Sequence, residues 1–418
     1  IRLSLVGSEM CIRDRYMVSL KTVTYLAYFK TIKNESRVEI IFLAVFFICL
    51  FIPMLHISND KISKKENRNL AEFKPLINSQ HKFNYDFGKD FDAWYSDRFF
   101  GRKAILSSFA KLRFKISSKY YKQNGYIINK QSNWGFTPGE AKKIAFTNKN
   151  IDDIASNFEK LKNYCLENNI KLYVLVVPTK SAIYTDKMQG YYNAAKHLEF
   201  EKNTIEKINK KLSYKLIYPY KELIEASNKD YTYFKAEHHW SDFGAFTAYK
   251  ILINEMTNIT PVTIADFDIS QNNKIRGDFF RRYNSGTTYI SLGLPDKLTR
   301  NLLNTKYNYY TYKNAADIKE SINGDKKIKI TKYNKAKNNY RVLISGTSMN
   351  ENLQPFLAAT FSETLYLRLN NVKGVKEDDT YKFYKRYHNK ITDYKPDIMI
   401  FCITFNNLRG IRNLMSLD

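Results

Sequence analysis

Two polar clusters in this chain hold the residue types that acyl transfer needs. Glu237 and His239 stand two positions apart in Glu237-His238-His239-Trp240, and the chain has only six histidines. In extended chain, side chains at i and i+2 point the same way, so this carboxylate could orient this imidazole. That is two thirds of a hydrolytic triad. The third member should be a hydroxyl on an exposed turn. The best candidate is Ser348, in the run Arg341-Val342-Leu343-Ile344-Ser345-Gly346-Thr347-Ser348-Met349-Asn350. Gly346 permits a tight turn. Backbone N–H groups beside Ser348 could then hold an oxyanion. A histidine pair near a strand end is more often structural than catalytic, so the reading requires the two clusters to meet.

The flanking sequence supplies elements able to bring them together. Ser241 reads as a helix N-cap, Asp242 as a first-turn acid, and Phe243, Phe246, Tyr249, Ile251, Leu252 and Met256 as the apolar face that follows. The run Tyr340–Ile344 reads as a buried strand, and a helix is expected from about Leu353, with Pro355 in its first turn. Ile170–Pro178 is continuously apolar, the mark of a parallel strand buried on both faces. Further strands are expected at Leu216–Tyr220, Thr364–Leu369 and Asp397–Thr404, and helices at Ile151–Cys165 and Leu198–Leu212. Alternating strands and helices predict an α/β fold, a mostly parallel sheet flanked by helices. Lys180 would lie at the carboxyl end of its strand, on the ligand side. It either contacts substrate or is an ordinary surface lysine.

Residues 258–339 are poorly patterned and read as an insertion. Arg276, Asp278 and Tyr309 within it could line a sugar site, by stacking and by pairing with acidic groups. A turn at Asn323-Gly324-Asp325 precedes a lysine-rich strand.

Together these residues resemble the DHHW / AlgX–AlgJ-like group of SGNH-hydrolase-related proteins. Glu237-His238-His239-Trp240 and Gly346-Thr347-Ser348 carry the likeness, in the family's order, which is permuted from ordinary SGNH hydrolases. Three flanking stretches agree: Glu66-Asn67-Arg68-Asn69-Leu70-Ala71, Asn133-Trp134-Gly135-Phe136 and Val177-Pro178-Thr179-Lys180. The resemblance spans roughly residues 40–410. It implies an SGNH-like fold and O-acetylation of a cell-envelope or exported polysaccharide such as alginate. Ser348 would be the nucleophile, His239 the base and Glu237 the orienting acid, standing where the family has Asp. His238, Trp240, Lys180, Arg276 and Asn406 are the weaker candidates for substrate contact. Asn406 or its neighbour Asn407 could complete an oxyanion hole, or both could be turn residues. The resemblance also implies a multispanning membrane acyltransferase as acetyl donor. An acetyl-polysaccharide esterase and a non-catalytic glycan-binding scaffold stand as alternatives.

Length 418 suits one large domain or two smaller ones, and 44% hydrophobic residues suffice for a core. The formal charge of +26 is spread over the whole chain. It either attracts an anionic polymer or lipid headgroups, or reflects a Lys-rich composition. No nucleic-acid reader motif is present. Residues 1–16 read as a foreign leader, with Met17 as the expected start and 17–39 as a short basic N-terminus. Residues 40–57 are the one long apolar run, near the lower length limit for a spanning helix. We read it as an uncleaved signal-anchor, with a cleaved signal peptide as the alternative; that the main domain lies outside the cytoplasm is what the family resemblance implies. Lys and Arg flank both ends, so charge does not set the orientation.

Residues 58–140 read as a helical, aromatic stem. Its aromatic face either docks on a membrane or partner or packs on the main α/β domain, placed at 141–418. Of the four cysteines, Cys165 and Cys402 read as buried hydrophobes rather than a disulfide. No metal or cofactor motif is found.

Overall fold

The computed structural model describes residues 37–49, 51–63, 68–123, 126–141, 145–191, 195–272, 281–282, 289–290, 305–322, 328–369 and 381–415. Residues 1–16, read above as a foreign leader, and Arg276, Asp278 and Asn323–Asp325 lie outside these residues. Two compact units divide the chain, Ile1–Phe109 and Ala110–Asp418.

The first unit contains an apolar helix, α1, at Arg37–Met54. Its 18 residues span about 27 Å at 1.5 Å per residue, close to the hydrocarbon thickness of a bilayer. Helix α2 (Phe87–Arg98) follows, and α3 (Arg102–Ile116) begins in this unit. Gly101, at φ +78°, separates them, so the aromatic stretch is helical in two pieces. Along α2, Phe91 stacks on Tyr95 with ring centroids 6.0 Å apart. The buried Arg98 donates to the carbonyl of Ala71, and Asp97 accepts from the Ala71 N–H at 2.8 Å.

The second unit opens with a small antiparallel sheet of β1 (Tyr120–Gln123), β2 (Tyr126–Asn129) and β3 (Trp134–Phe136). Helix α4 (Asn148–Glu167) starts on a Thr147 capping box and leads to strand β4 (Lys171–Val177). Helices α5 (Ala195–Asn209), α6 (Tyr220–Ser227) and α7 (Asp242–Asn254) follow. Strands β5 (Phe267–Asn272) and β6 (Tyr307–Tyr312) pair with each other alone. After them come β7 (Ile318–Ile322), β8 (Ile328–Tyr333), β9 (Arg341–Gly346), helix α8 (Asn350–Thr360), β10 (Glu363–Arg368), helix α9 (Phe383–Tyr394) and β11 (Ile398–Thr404).

The main sheet has the order β7–β8–β10–β9–β11–β4. Strands β10, β9, β11 and β4 are parallel, and the β7–β8 hairpin adds to them antiparallel. The sheet is therefore mixed at one edge. Part of the region read as an insertion completes it, because Thr331 of β8 reaches Thr364 of β10 with hydroxyls 2.6 Å apart. At the other edge Ile217 makes a single parallel bridge to Leu175, so the expected strand there is reduced to one ladder rung.

Side chains alternate across the pleat and build a core on each face. Val342, Ile344, Ile400 and Cys402 face α7 and α8, through Phe246, Tyr249, Leu353 and Phe356. Leu343, Met399, Phe401 and Ile403 face α4, α5 and α9, through Phe158, Leu161, Ile208 and Tyr387. Cys165 and Cys402 are buried in separate cores. Helix α8 starts three residues earlier than its apolar pattern suggests, so Pro355 falls inside it rather than in its first turn.

Candidate active site

The carboxyl ends of β9 and β11 frame the site. Where β9 stops, Gly346 takes φ +139°. A Cβ there would stand 1.8 Å from the carbonyl oxygen of Cys402 on β11, so only glycine fits this close approach. The chain then turns through Thr347 and Ser348 into α8. The Thr347 N–H donates to the Cys402 carbonyl at 3.0 Å. The Ser348 N–H has no backbone acceptor among the described residues.

The second loop is 233–240. It was expected to be extended, but between Tyr233 and Trp240, which form an antiparallel bridge, it is a bend. The Phe234 N–H donates to the His239 carbonyl at 3.2 Å and closes it. Ser241 caps α7 through a 3.1 Å bond from the Gly244 N–H, as the sequence suggests. Asp242 then ties the helix start outward. It accepts from Asn352 Nδ2 of α8 at 2.7 Å and from the Tyr310 N–H of β6 at 3.1 Å.

These two loops bring the three principal candidates together. His239 Nε2 lies 2.7 Å from Ser348 Oγ, and His239 Nδ1 lies 2.5 Å from Glu237 Oε1. Glu237 and Ser348 are buried, and the His239 side chain keeps 16% exposure. Ser348 lines an open cavity of about 280 Å³ together with Thr347, His238, Asn406, Asn407 and Glu140. Asn406 and Asn407 begin the 3-10 helix Phe405–Asn413 that follows β11. The Asn406 Oδ1 and Thr347 Oγ1 atoms are buried and have no hydrogen-bond partner among the described residues.

The weaker candidates separate into two groups. His238 and Asn406 line the cavity, with the His238 ring packed on His239 at a centroid distance of 3.9 Å. Lys180 borders the same cavity, whereas Trp240 does not. Trp240 is fully buried, and its indole N–H donates to the Met349 carbonyl at 2.9 Å, joining the two loops. Lys180 is also fully buried. Its ammonium donates to the carbonyls of Glu237 (2.6 Å), Phe234 (3.2 Å) and Lys235 (3.5 Å), with the Phe136 ring centroid 5.1 Å away. The lysine read as a candidate for substrate contact therefore borders the cavity and also clamps the loop that carries Glu237. Tyr309 sits on β6 with its ring 6.4 Å from that of Phe234, a packing position behind the same loop. Tyr307 accepts the Lys235 N–H at 2.9 Å.

Beneath the Lys180 turn lies a buried polar cluster that sequence reasoning missed. Glu201 accepts from the Thr179 hydroxyl at 2.5 Å and from Tyr218 at 2.7 Å. Ser181 Oγ lies 3.3 Å from His197 Nδ1, and His197 Nε2 lies 3.4 Å from Glu201 Oε1. Burial pushes the Glu201 carboxyl up to about 7, against the hydrogen bonds from Thr179 and Tyr218. Burial likewise pushes His197 down to about 4. The i,i+4 spacing of His197 and Glu201 was the available signal, but it is equally common on solvated helices.

Residues 128–281 match the family described as an SGNH hydrolase-like domain, acetyltransferase AlgX. The matched span holds Lys180, Glu237 and His239 and stops before Ser348. Solved structures are similar at low identity. PatB1 of Bacillus cereus is 18% identical at TM-score 0.49, over 69% of this chain and 96% of that one. A DHHW family protein from Eubacterium siraeum is 17% identical at TM-score 0.47, over 71% and 97%. The O-acetyltransferase domain of Pseudomonas putida AlgJ is 16% identical at TM-score 0.45, over 72% and 96%. No curated protein matches by sequence.

Proposed function

We propose that this protein is a serine-type O-acyltransferase that moves acetyl groups onto hydroxyls of a cell-envelope or exported polysaccharide. The observation that carries the reading is one chain of contacts, Ser348 Oγ to His239 Nε2 at 2.7 Å and His239 Nδ1 to Glu237 Oε1 at 2.5 Å. It ends at a cavity open to solvent. His239 Nε2 takes the Ser348 proton as the oxygen attacks the acetyl carbonyl. Glu237 accepts the Nδ1–H, which fixes the tautomer and stabilises the imidazolium. The Ser348 N–H and the Asn406 amide are the donors for the oxyanion, each worth about 2.7–4 kcal/mol to the transition state. The tetrahedral intermediate collapses, His239 returns the proton to the leaving group, and acetyl remains on Ser348. A sugar hydroxyl then gives its proton to His239 and attacks the acyl carbonyl; the second tetrahedral intermediate expels Ser348 Oγ, which takes that proton from His239, and the sugar leaves as its acetyl ester. Helix α1 anchors the chain in the cytoplasmic membrane, with the catalytic domain outside the cytoplasm. There a multispanning acyltransferase would supply the acetyl group.

The test is mass spectrometry of the protein incubated with 4-nitrophenyl acetate, with and without sugar acceptors. Acetyl should appear on Ser348 and pass to the sugar faster than to water. Acetate release unaffected by any acceptor would make the protein an esterase. Undiminished transfer by Ser348→Ala would remove the mechanism altogether.

A further inference from the structure

A second hollow, of about 670 Å³, shares the 3-10 helix Phe405–Asn413 with the cavity of Ser348. Its wall is made by Tyr381, Lys382, Arg409, Gly410 and Arg412, with Asp153 from the first turns of α4. Three cations face one carboxylate. Arg409 and Arg412 are exposed and carry no ion pair among the described residues. The Tyr381 ring is half-buried and lies against the backbone at Gly410, where a Cβ would come within 2.5 Å of two ring atoms. Glycine at 410 therefore lets the ring lie flat on the chain. Two arginine forks beside a fixed aromatic face are the groups that grip a carboxylate or phosphate and stack on a sugar ring.

The position of this hollow ties it to the chemistry. The 3-10 helix Phe405–Asn413 supplies Asn406 and Asn407 to the cavity with Ser348, and Arg409, Gly410 and Arg412 to the second hollow. At about 2 Å per residue, Asn406 and Arg412 stand about 12 Å apart along it. Both sites belong to the carboxyl edge of the parallel strands, where open α/β sheets bind ligands. A polymer could engage both at once, whereas a monosaccharide could not.

We infer that this hollow is an acceptor subsite for an acidic glycan, holding its carboxylate or phosphate groups on Arg409 and Arg412 and a sugar ring on Tyr381, while a neighbouring residue of the same chain presents its hydroxyl to Ser348. The inference rests on the proposed acyl transfer for the word acceptor, and its test is independent of catalysis. The subsite also gives the +26 charge a local address, since a diffuse field alone would attract any polyanion to any face.

The test is calorimetric titration of the full-length chain carrying Ser348→Ala. The probes are an oligogalacturonate, a glycerol-phosphate oligomer and a neutral dextran oligomer. An acidic probe should bind at least tenfold more tightly than dextran, and the preferred one identifies the anion as carboxylate or phosphate. Arg409→Gln with Arg412→Gln should weaken that binding at least tenfold. Lys207→Gln with Lys210→Gln, which removes the same charge from exposed positions at the carboxyl end of α5 and just beyond it, should change it less than twofold. Gly410→Ala, which displaces the Tyr381 ring, should weaken it without altering net charge. Equal losses from the arginine and lysine pairs would reduce the effect to bulk electrostatics and overturn the subsite, as would equal affinity for dextran. Absence of acetyl on Ser348 in the wild-type experiment above would instead remove the transferase reading and leave these binding results standing.

Discussion

At the scale of single residues, Glu237 bears the sharpest question, because it stands where the DHHW pattern that the sequence resembles has Asp. The longer side chain already reaches His239 Nδ1 at 2.5 Å. Glu237→Asp would withdraw the carboxylate by one methylene, and small displacements of this kind cost about 10²-fold in rate. We expect that loss in kcat on 4-nitrophenyl acetate. Glu237→Gln keeps the length and removes the charge, and should lose about 10⁴-fold, the scale of the corresponding change in serine proteases. If Gln proved as fast as Glu, the carboxylate would have no orienting role. The triad residues were legible because their types are scarce and their order is distinctive. The fate of Lys180 was not legible. A lysine after a buried strand looks like a ligand contact, and only the fold reveals carbonyls from 57 residues downstream converging on its ammonium.

At the scale of elements, the site is two loops held in register by their own backbone. Gly346 lets β9 end against β11. Gly346→Ala would place a methyl inside the Cys402 carbonyl and force the turn open, lowering stability by about 3 kcal/mol or more. A melting midpoint unchanged from wild type would refute this. Lys180→Met should act on the other loop. It removes a donor from three carbonyls and should lower stability by about 1–3 kcal/mol. It should also lower kcat, with KM for the small ester unchanged, because the loop that drifts holds the imidazole and its acid, whereas the cavity wall belongs mainly to other segments. Full kcat in a merely less stable variant would make Lys180 structural only. The elements themselves were largely readable, since continuous apolar runs mark β4, β9 and β11. Of the β7–β8 hairpin only the lysine-rich strand β8 was, because Ile318–Tyr333 mixes Lys, Thr and Ile and half of its ladder is solvated. Its place is decided by the open edge of β10, a tertiary fact.

At the scale of the whole molecule, the buried Glu201–His197 pair makes stability respond to pH in two opposed ways. Glu201 holds its proton in the folded state up to about 7, while an unfolded glutamate loses it near 4.5. Its contribution is therefore lost as pH rises through that window. His197 refuses a proton until about 4, while an unfolded histidine accepts one near 6.5. That contribution is lost as pH falls through its own window. Where the windows overlap the slopes offset each other. Relative to wild type, Glu201→Gln should lose stability on acidification from 6.5 towards 4, and His197→Gln should lose it as pH rises from 4.5 towards 7. Unfolding midpoints measured across this range would decide, and parallel curves for all three proteins would contradict the pairing. Strand β11 carries a different consequence. It follows β9 and β10 in the chain yet sits between β9 and β4, the strand of this sheet that is made first. Until Ile398–Thr404 arrives there is nothing for β4 and β9 to share, and the Cys402 carbonyl that braces Gly346 is missing. A nascent chain that has not yet extended past Thr404 therefore lacks the brace for its reactive alcohol, which keeps such half-made copies chemically silent.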